Sequence, residues 1–363
     1  IMAYTTINKS TDYFNTKLWT GNSSTQSITG NDFTADFTWS KTRSNAESHI
    51  LMDTVRDAGT TLNQALFSNS SNAEGTLNNS STLTVNSTGF DLSGTTGGAL
   101  NFNGYTYATW LWRAGGHTGS ANTDGSITST VSANTTAGFS IVKWNADNQN
   151  PSTIGHGLGV APNVIIMKET GGTSNWVVGG FGLDWSGYLL LDSTNAFNND
   201  SNDTSGTGRM FSQGGNEPTS TVWYTNSGAI ASQNGTAMIA YCFAEKTGFS
   251  KFGDYTGNGN ADGAFLYTGF KPAFVIIKSK GSGTNWRLVD NKRDTLNPST
   301  KQLFPNTNAA ETTDSNYSID FLSNGFKLRN TNSDLNQNAV NYIYMAFAEA
   351  PLVGSNNVPA NAR

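Results

Sequence analysis

The chain has 363 residues, a formal net charge of −5 and no Lys/Arg cluster able to neutralise a run of phosphates, which argues against nucleic acid as a partner. Only 13% of the residues are charged but 11% are aromatic, a composition that indicates packed cores rather than disorder. The single cysteine excludes an intrachain disulfide framework and a cysteine-based zinc site, and the many Ser, Thr, Asn and Gly residues predict an all-β protein.

The first residues carry no recognisable targeting signal. The opening "IMAYTTINKST" has no basic segment followed by an apolar stretch, so no signal peptide is predicted. No segment approaches the roughly 20 apolar residues that a membrane helix needs, so membrane insertion is not expected. Residues 1–11 are predicted to be an N-terminal arm.

An ordered set of landmarks occurs three times along the chain. A strand that ends on lysine closes at Lys41, Lys168 and Lys278, and an apolar closing strand begins at Tyr107, Met238 and Tyr342. These landmarks predict three tandem β-sandwich or jelly-roll-like repeats of about 100 residues. Both kinds of strand are almost unbroken apolar runs, so we expect them to lie side by side in the core.

The landmarks also predict the domain boundaries. Unit 1 spans residues 12–116, unit 2 spans 138–247 and unit 3 spans 248–351, and these names are kept below. Residues 117–137, rich in Gly, Ser, Thr and Asn, are predicted to be a flexible or extended linker, and 352–363 a C-terminal tail. Units 2 and 3, which have no such linker, are expected to share an interface.

Two features of unit 1 can be interpreted by comparison with the other units. The pattern Asp-x-x-Arg-Asp occurs at Asp53–Asp57 and again at Asp290–Asp294. It fits either a hand that binds sugars or anions, or a local ion pair that shapes a turn, and the ion pair is the preferred interpretation. His49 stands where the other units have Trp176 and Trp286, which indicates replacement of one packed ring by another.

Unit 2 carries additional aromatic residues in apparent loops. Trp185, Tyr188, Trp223 and Tyr224 are the candidate ligand-binding residues, because aromatic faces stack on sugar rings and loops often carry recognition. The alternative is that these tryptophans fill the core, as they usually do in β-sandwiches. Cys242 lies in the apolar run "MIAYCFA" and is predicted to be a buried, inert thiol.

The remaining candidates favour structure over chemistry. Glu245 and Glu349 end closing strands in different units, so we expect them to accept backbone N–H groups rather than to form a catalytic pair. Asn258, Asn260 and Asp262 form a weak calcium candidate, for which a tight polar turn is the preferred alternative. No cofactor, metal or catalytic residue is predicted, because the three histidines offer neither a metal pair nor a triad.

Several ordered strings resemble a known type of protein. The strings "MAYTTINKSTDYFNTKLWTGN", "GHGLGVAPNVIIMK", "AYCFAEKTGFSKFGDYTGNGNADG" and "NGFKLR" are similar to an uncharacterised repeated domain of tail-fibre-like and other structural proteins of marine bacteriophages, notably cyanophages. The resemblance covers essentially the whole chain. It implies a virion component and implies no catalytic residues.

The residues and the resemblance together predict a binding or structural protein and not an enzyme. The expected role is a phage tail-fibre or host-recognition protein that binds cell-surface glycan, made in the host cytoplasm and located in the virion. The expected partners are other virion proteins and copies of the same chain, with a trimer favoured. The alternatives are an architectural capsid-decoration or fibre subunit without a receptor, and a polysaccharide-degrading tailspike enzyme.

Overall fold

The structure is a computed structural model that describes residues 5–77, 81–93, 100–147, 149, 152–199, 210–212, 216–225, 235–281 and 283–353. Strands dominate it, and every pairing between named strands is antiparallel. The described helical segments are short 3-10 turns at Ser10–Asp12 and Ser315–Tyr317. The protein is therefore all-β, as predicted.

Three inner sheets share one strand order. Each places the first strand of its unit beside the closing strand, then the lysine strand, then a short fourth strand. In unit 1 these are β1 (Phe14–Thr20), β10 (Thr106–Trp112), β3 (Phe37–Thr42) and β4 (Ile50–Asp53). In unit 2 they are β13 (Phe139–Asn145), β20 (Ala237–Phe243), β15 (Val164–Glu169) and β16 (Val177–Gly180). In unit 3 they are β21 (Ser250–Thr256), β29 (Asn341–Pro351), β23 (Phe270–Ser279) and β24 (Arg287–Asp290).

The predicted neighbourhood of lysine and closing strands is confirmed. Each lysine strand pairs with the closing strand of its own unit, with Lys41 opposite Ala108, Lys168 opposite Ile239 and Lys278 opposite Ile343. The closing strands read as unbroken apolar runs because both of their faces are covered.

One central core joins the three inner sheets. Phe37 of unit 1, Ile166 of unit 2 and Phe274 of unit 3 belong to the same buried cluster. Along β10, Trp110 and Trp112 face this cluster, whereas the alternate residues Tyr107 and Leu111 face a second core inside unit 1. The units are thus packed on one another around a shared centre, to which all three contribute buried side chains.

A second layer covers the outer face of each inner sheet. In unit 1 it is β2 (Gln26–Thr29), β9 (Gly89–Ser93), β8 (Thr82–Asn86) and β5 (Thr61–Leu62). Unit 2 has β14 (Ser152–Gly155) with β19 (Val222–Thr225), and unit 3 has β22 (Phe265–Tyr267), β28 (Gly325–Leu328) and β27 (Ile319–Leu322). The remaining short strands are β6 (Gln64–Ala65), β7 (Gly75–Thr76), β17 (Gly187–Leu190), β18 (Asn198–Asn199), β25 (Lys301–Gln302) and β26 (Thr312–Thr313).

Of the two forms predicted for the linker at 117–137, flexible or extended, the flexible one is wrong, because the segment is extended and forms part of the sheet of unit 2. This segment contains β11 (Ser120–Asn122) and β12 (Ser129–Asn134), and β12 pairs with β13 of unit 2 from Thr130 to Asn134. The sheet of unit 2 therefore begins well before residue 138. The polar side chains of this segment resemble a linker, but its backbone N–H and C=O groups are paired in the sheet edge.

The two chain ends differ in what is described. Within the predicted N-terminal arm, Ile7 is buried in the central core and the hydroxyl of Thr5 donates to the carbonyl of Thr247. Nearly all of the predicted C-terminal tail, residues 354–363, lies outside the described residues.

Candidate functional site

The junctions between units are built from matching hydrogen bonds that run around the molecule. Each unit donates one backbone N–H to the residue two positions after the lysine of another unit. The three bonds are Glu74 to Thr170 (2.9 Å), Phe197 to Lys280 (2.9 Å) and Glu311 to Arg43 (2.8 Å). They lead from unit 1 to unit 2, from unit 2 to unit 3 and from unit 3 back to unit 1. We call this closed set the junction ring.

Aromatic rings make a second set of contacts across the same junctions. The indole N–H of Trp176 donates to the carbonyl of Phe67 at 2.9 Å, and that of Trp286 donates to the carbonyl of Leu190 at 2.8 Å. His49, which holds the matching position in unit 1, lies beside the carbonyl of Phe304. The interpretation of His49 as a packed ring in the place of tryptophan is confirmed.

His49 is held as a neutral ring. Its Nδ1 accepts a hydrogen bond from the indole of Trp39 at 2.9 Å, which puts the proton on Nε2. Burial lowers the pKa of His49 well below its usual value, and the positive charge of Lys41 lowers it further. A histidine in this state packs against its neighbours and accepts a hydrogen bond at Nδ1. This nitrogen is therefore not available as a metal ligand.

The first Asp-x-x-Arg-Asp motif forms a buried network that crosses a junction. The guanidinium of Arg56 pairs with Asp53 and, at 2.5 Å, with Glu74, and it also donates to the carbonyl of Leu51. Asp53 in turn accepts a 2.8 Å hydrogen bond from the hydroxyl of Tyr241, on the closing strand of unit 2. Burial raises the pKa of Tyr241 well above its usual value, so this hydroxyl is a permanent donor.

The second copy of the motif repeats this arrangement at another junction. Arg293 pairs with Asp290 at 2.5 Å and with Glu311 at 3.1 Å, and Asp290 accepts from the indole of Trp110, on the closing strand of unit 1, at 3.1 Å. Glu311 also receives two 2.9 Å hydrogen bonds from Arg43. The ion-pair interpretation is confirmed. The side chains of both arginines are nearly inaccessible, so the motif cannot serve as an open anion-binding hand.

Unit 2 lacks the motif, and its junction is apolar instead. Gly180 and Leu183 stand where the other units have the aspartate and arginine, and Met345 of unit 3 stands where Trp110 and Tyr241 donate. Phe181, Leu183 and Met345 all belong to or pack against the central core. At two junctions the aspartate faces a hydrogen-bond donor on the closing strand of the neighbouring unit, and at the third the residues at both corresponding positions are apolar. Either combination leaves no buried polar group unpaired.

The three lysines that end the lysine strands are buried and bind backbone carbonyls. Each ammonium donates to the carbonyl of the next residue and to the loop that follows. Burial lowers the pKa of Lys41, Lys168 and Lys278 to about 8 in each case. These lysines close the loop after each strand, a task that needs a long side chain with several donors.

The structure does not assemble the four predicted aromatic residues into an exposed surface. Trp223 is fully buried, packed edge-on against Trp144, so its assignment as a ligand-binding residue is wrong. Trp185 is half-buried against Phe211. Tyr188 and Tyr224 lie half-buried on β17 and β19. The sequence signal was ambiguous because β19 alternates, and a strand of that pattern hides every second side chain.

In the candidate calcium loop, the oxygens that would bind the ion already accept hydrogen bonds or pair with cations. Asn258 and Asn260 each accept from a backbone N–H two residues on, and the amide of Asn336 donates to the side-chain oxygen of Asn258 and the carbonyl of Asn260. Asp262 pairs with Lys327 at 2.8 Å and with Arg329 at 3.0 Å. Within the described residues, no group of three or more His, Cys, Asp or Glu side chains is placed to hold a metal. The loop is the tight polar turn of the alternative interpretation.

Glu245 and Cys242 have the structural roles that were expected, whereas the partners of Glu349 are side chains. Glu245 accepts the backbone N–H of Phe252 at 3.0 Å and pairs with Lys251, while Glu349 pairs with Lys271 and accepts from the side-chain amide of Asn291. Cys242 is fully buried, and burial raises the pKa of its thiol far above the usual range.

An open cleft of about 410 Å³ contains one carboxylate–imidazole pair. Asp36 lies 3.1 Å from Nδ1 of His117 and accepts the backbone N–H of Ala114 at 2.7 Å. Asn163, at the matching position of unit 2, accepts the backbone N–H of Glu245 at 2.7 Å in the same way. The main task of Asp36 is therefore the shared one of fixing the end of the closing strand.

Two aromatic side chains that the sequence analysis missed point outward. Phe265 and Tyr267 on β22 are 43% and 55% exposed, while Leu266 between them is buried. In the sequence, "AFLYTG" looks like another short apolar strand, and only the position of β22 in the outer layer shows which side chains face solvent. Within the described residues, no helix is long and apolar enough to span a membrane.

Comparison with known proteins identifies a family without a known activity. No curated protein and no solved structure matches the chain significantly. The profile of a family described as a domain of unknown function, DUF7483, matches residues 9–351. The matched segment covers all three units and every residue of the junction ring. The chain belongs to the DUF7483 family.

Proposed function

We propose that this protein is a bacteriophage virion structural protein that acts as a tail fibre or host-recognition protein and binds cell-surface glycan. The resemblance to a repeated domain of phage structural proteins supports this role over the length of the chain. The expected partners are other virion proteins and copies of this chain, and the expected location is the virion.

The observation that carries the proposal is that the recurring polar residues join the units and fix loops. Asp53, Arg56, Asp290 and Arg293 are buried in junctions between units, and the three repeated lysines fix loops. Such polar residues hold the units in a fixed arrangement, as a particle component exposed outside a cell requires. We infer that the protein is a scaffold with a recognition surface and not an enzyme.

The location is tested on purified phage particles that carry this chain. Immunogold labelling and mass spectrometry should find it in intact particles, and cryo-EM should place it on the tail. Light scattering of the isolated protein should give the mass of a trimer. Absence of the chain from washed particles would overturn the virion role.

The receptor function needs a separate measurement. Fluorescent protein should bind host cells, and soluble host polysaccharide should compete with this binding. A chain that is present in particles but binds neither cells nor envelope fractions would instead be an architectural subunit, for which the closed junction ring is the supporting observation. Release of reducing ends from the polysaccharide would identify the protein as a tailspike enzyme.

A further inference from the structure

We propose that the outward face of β22 and β28 in unit 3 is a carbohydrate-binding platform, centred on Phe265 and Tyr267. This inference rests on the proposed host-recognition function and names the site and the chemistry through which it would act. We call Phe265, Tyr267, Asp262, Lys327 and Arg329 the unit 3 platform.

The two aromatic rings stand on one face of an edge strand. Phe265 lies directly opposite Lys327 and Tyr267 opposite Gly325, on the face that leaves Leu266 and Phe326 in the core. Residues two positions apart along a strand are separated by about 7 Å, so both rings can contact one extended sugar chain that runs along β22. Gly325 is required by the close approach of the two strands, since a Cβ atom there would lie 2.0 Å from the carbonyl oxygen of Leu266, and its lack of a side chain also leaves Cε2 of Phe265 uncrowded.

Charged groups on the same face are held in place by one another. Asp262 is bound by Lys327 at 2.8 Å and by Arg329 at 3.0 Å, and Arg329 also binds Asp320 at 2.5 Å. The side chain of Asp262 is 71% exposed and that of Arg329 is 43% exposed. A carboxylate acceptor and two cationic donors therefore lie at the surface next to the rings, in positions that need little reorganisation on binding.

This combination of groups matches a sugar. The face of an aromatic ring is electronegative and favours the weakly positive C–H groups on one side of a pyranose, while carboxylate and guanidinium groups bind hydroxyls at its edge. A protein partner is disfavoured by size, because a stable interface buries about 800 Å² per partner and two rings supply only a fraction of that area. Asp262 and Lys327 are also of residue types that are depleted from the cores of protein interfaces.

The matching position in unit 1 shows that the fold does not require the rings. There β2 pairs with β9 as β22 pairs with β28, with Thr29 opposite Gly89 and Ser27 opposite Asp91. Ser27 and Thr29 are exposed and take the places of Phe265 and Tyr267 on the same framework. Unit 1 has small hydroxyl side chains at the exposed positions where unit 3 has large rings. The rings therefore indicate a task other than packing.

The difference between units 1 and 3 provides the test. The double variant F265S/Y267T gives unit 3 the side chains of unit 1, so it should fold, with an unchanged far-UV circular dichroism spectrum and a nearly unchanged melting temperature. The probe is an array of bacterial capsular, O-antigen and exopolysaccharide preparations. Wild-type protein should bind a subset of these polymers, and F265S/Y267T should bind the same subset at least tenfold more weakly.

Three further variants separate the platform from general effects. S27A/T29A changes the matching face of unit 1 and should bind as the wild type does. F265W/Y267W keeps aromatic faces and should retain binding. If the native rings served only to maintain the local structure, the larger tryptophan rings would not replace them. K327Q should weaken binding of uronate- or phosphate-containing polymers and spare neutral ones, which tells an acidic ligand from a neutral one.

Each contrary result has its own meaning. Unchanged binding by F265S/Y267T would overturn the platform and leave the proposed host-recognition function intact. Failure of the wild type to bind any polymer on the array would overturn a carbohydrate ligand, while immunogold labelling would still decide the virion role. A lower mass of F265S/Y267T than of wild type in light scattering would identify a self-association surface and overturn the proposal.

Discussion

Glu311 and Arg43 are 268 residues apart in the chain and are joined by a two-armed ion pair, with both N–O distances at 2.9 Å. The backbone of Glu311 donates to the carbonyl of Arg43 at 2.8 Å in the same contact. This is the point where unit 3 meets unit 1 and the junction ring closes. Because the ring closes within one chain, each unit has two neighbours.

Glu311 should therefore be a strong determinant of stability. Its side chain is 10% exposed, and its removal leaves Arg43 and the buried Arg293 without their shared carboxylate. We expect Glu311→Ala to lower the free energy of unfolding by about 3 kcal/mol, measured by urea denaturation. Asp32→Asn breaks an exposed pair with Lys9 and serves as the control, with no measurable change expected. Equal effects of both variants would contradict the role of the junction ring.

The hydroxyl of Tyr241 should matter more than its size suggests. Tyr241→Phe removes one donor from the buried carboxylate of Asp53 and should cost about 1–2 kcal/mol in thermal or urea unfolding. Met345→Leu, at the matching position of unit 3, removes no hydrogen bond and should cost about 1 kcal/mol or less. If the two variants are equally stable, the contact between Tyr241 and Asp53 contributes little.

The buried lysines should make stability depend on pH in the alkaline range. Each lysine has a pKa of about 8 when folded, below the ordinary value of 10.5, so the unfolded chain binds more protons between these values. The free energy of unfolding should consequently rise as pH increases from 8 to about 9.5. Above pH 10 the opposite effect sets in, because burial raises the pKa of Tyr107 and Tyr344 to about 12.

This dependence can be assigned by substitution with methionine, whose unbranched, uncharged side chain is one atom shorter than that of lysine. In the triple variant K41M/K168M/K278M, the free energy of unfolding should rise less steeply with pH between pH 8 and 9.5. Replacement of the exposed Lys9 by Met should leave the slope as it is in wild type. An unaltered slope in the triple variant would show that the lysines do not titrate between the folded and unfolded states as stated.

Cys242 should be chemically silent in the folded protein. Burial raises the pKa of its thiol, so both access and thiolate formation are suppressed. We expect no reaction with a thiol-specific chromogenic reagent in buffer and the release of one equivalent in denaturant. Rapid reaction under native conditions would show that the closing strand of unit 2 opens.

The pattern of residues determined the local structure of much of this protein. Apolar runs that end on lysine predicted strands buried on both faces. The shared landmarks predicted that the strand containing Lys168 lies beside the closing strand containing Met238, as β15 and β20 do. The same comparison between units identified His49 as a ring in the place of tryptophan. These features depend on strand periodicity and on burial, which are properties of short segments.

Only the tertiary structure decided which surfaces meet. Periodicity shows that a side chain is buried but not against which partner, so the contact of Asp53 with Tyr241, 188 residues away, was not predictable. The exposure of Phe265 and the burial of Trp223 depend equally on which face of a strand the neighbouring layer covers. Residues 117–137 have the composition of a linker, and they form strands because the open edge of β13 supplies hydrogen-bond partners.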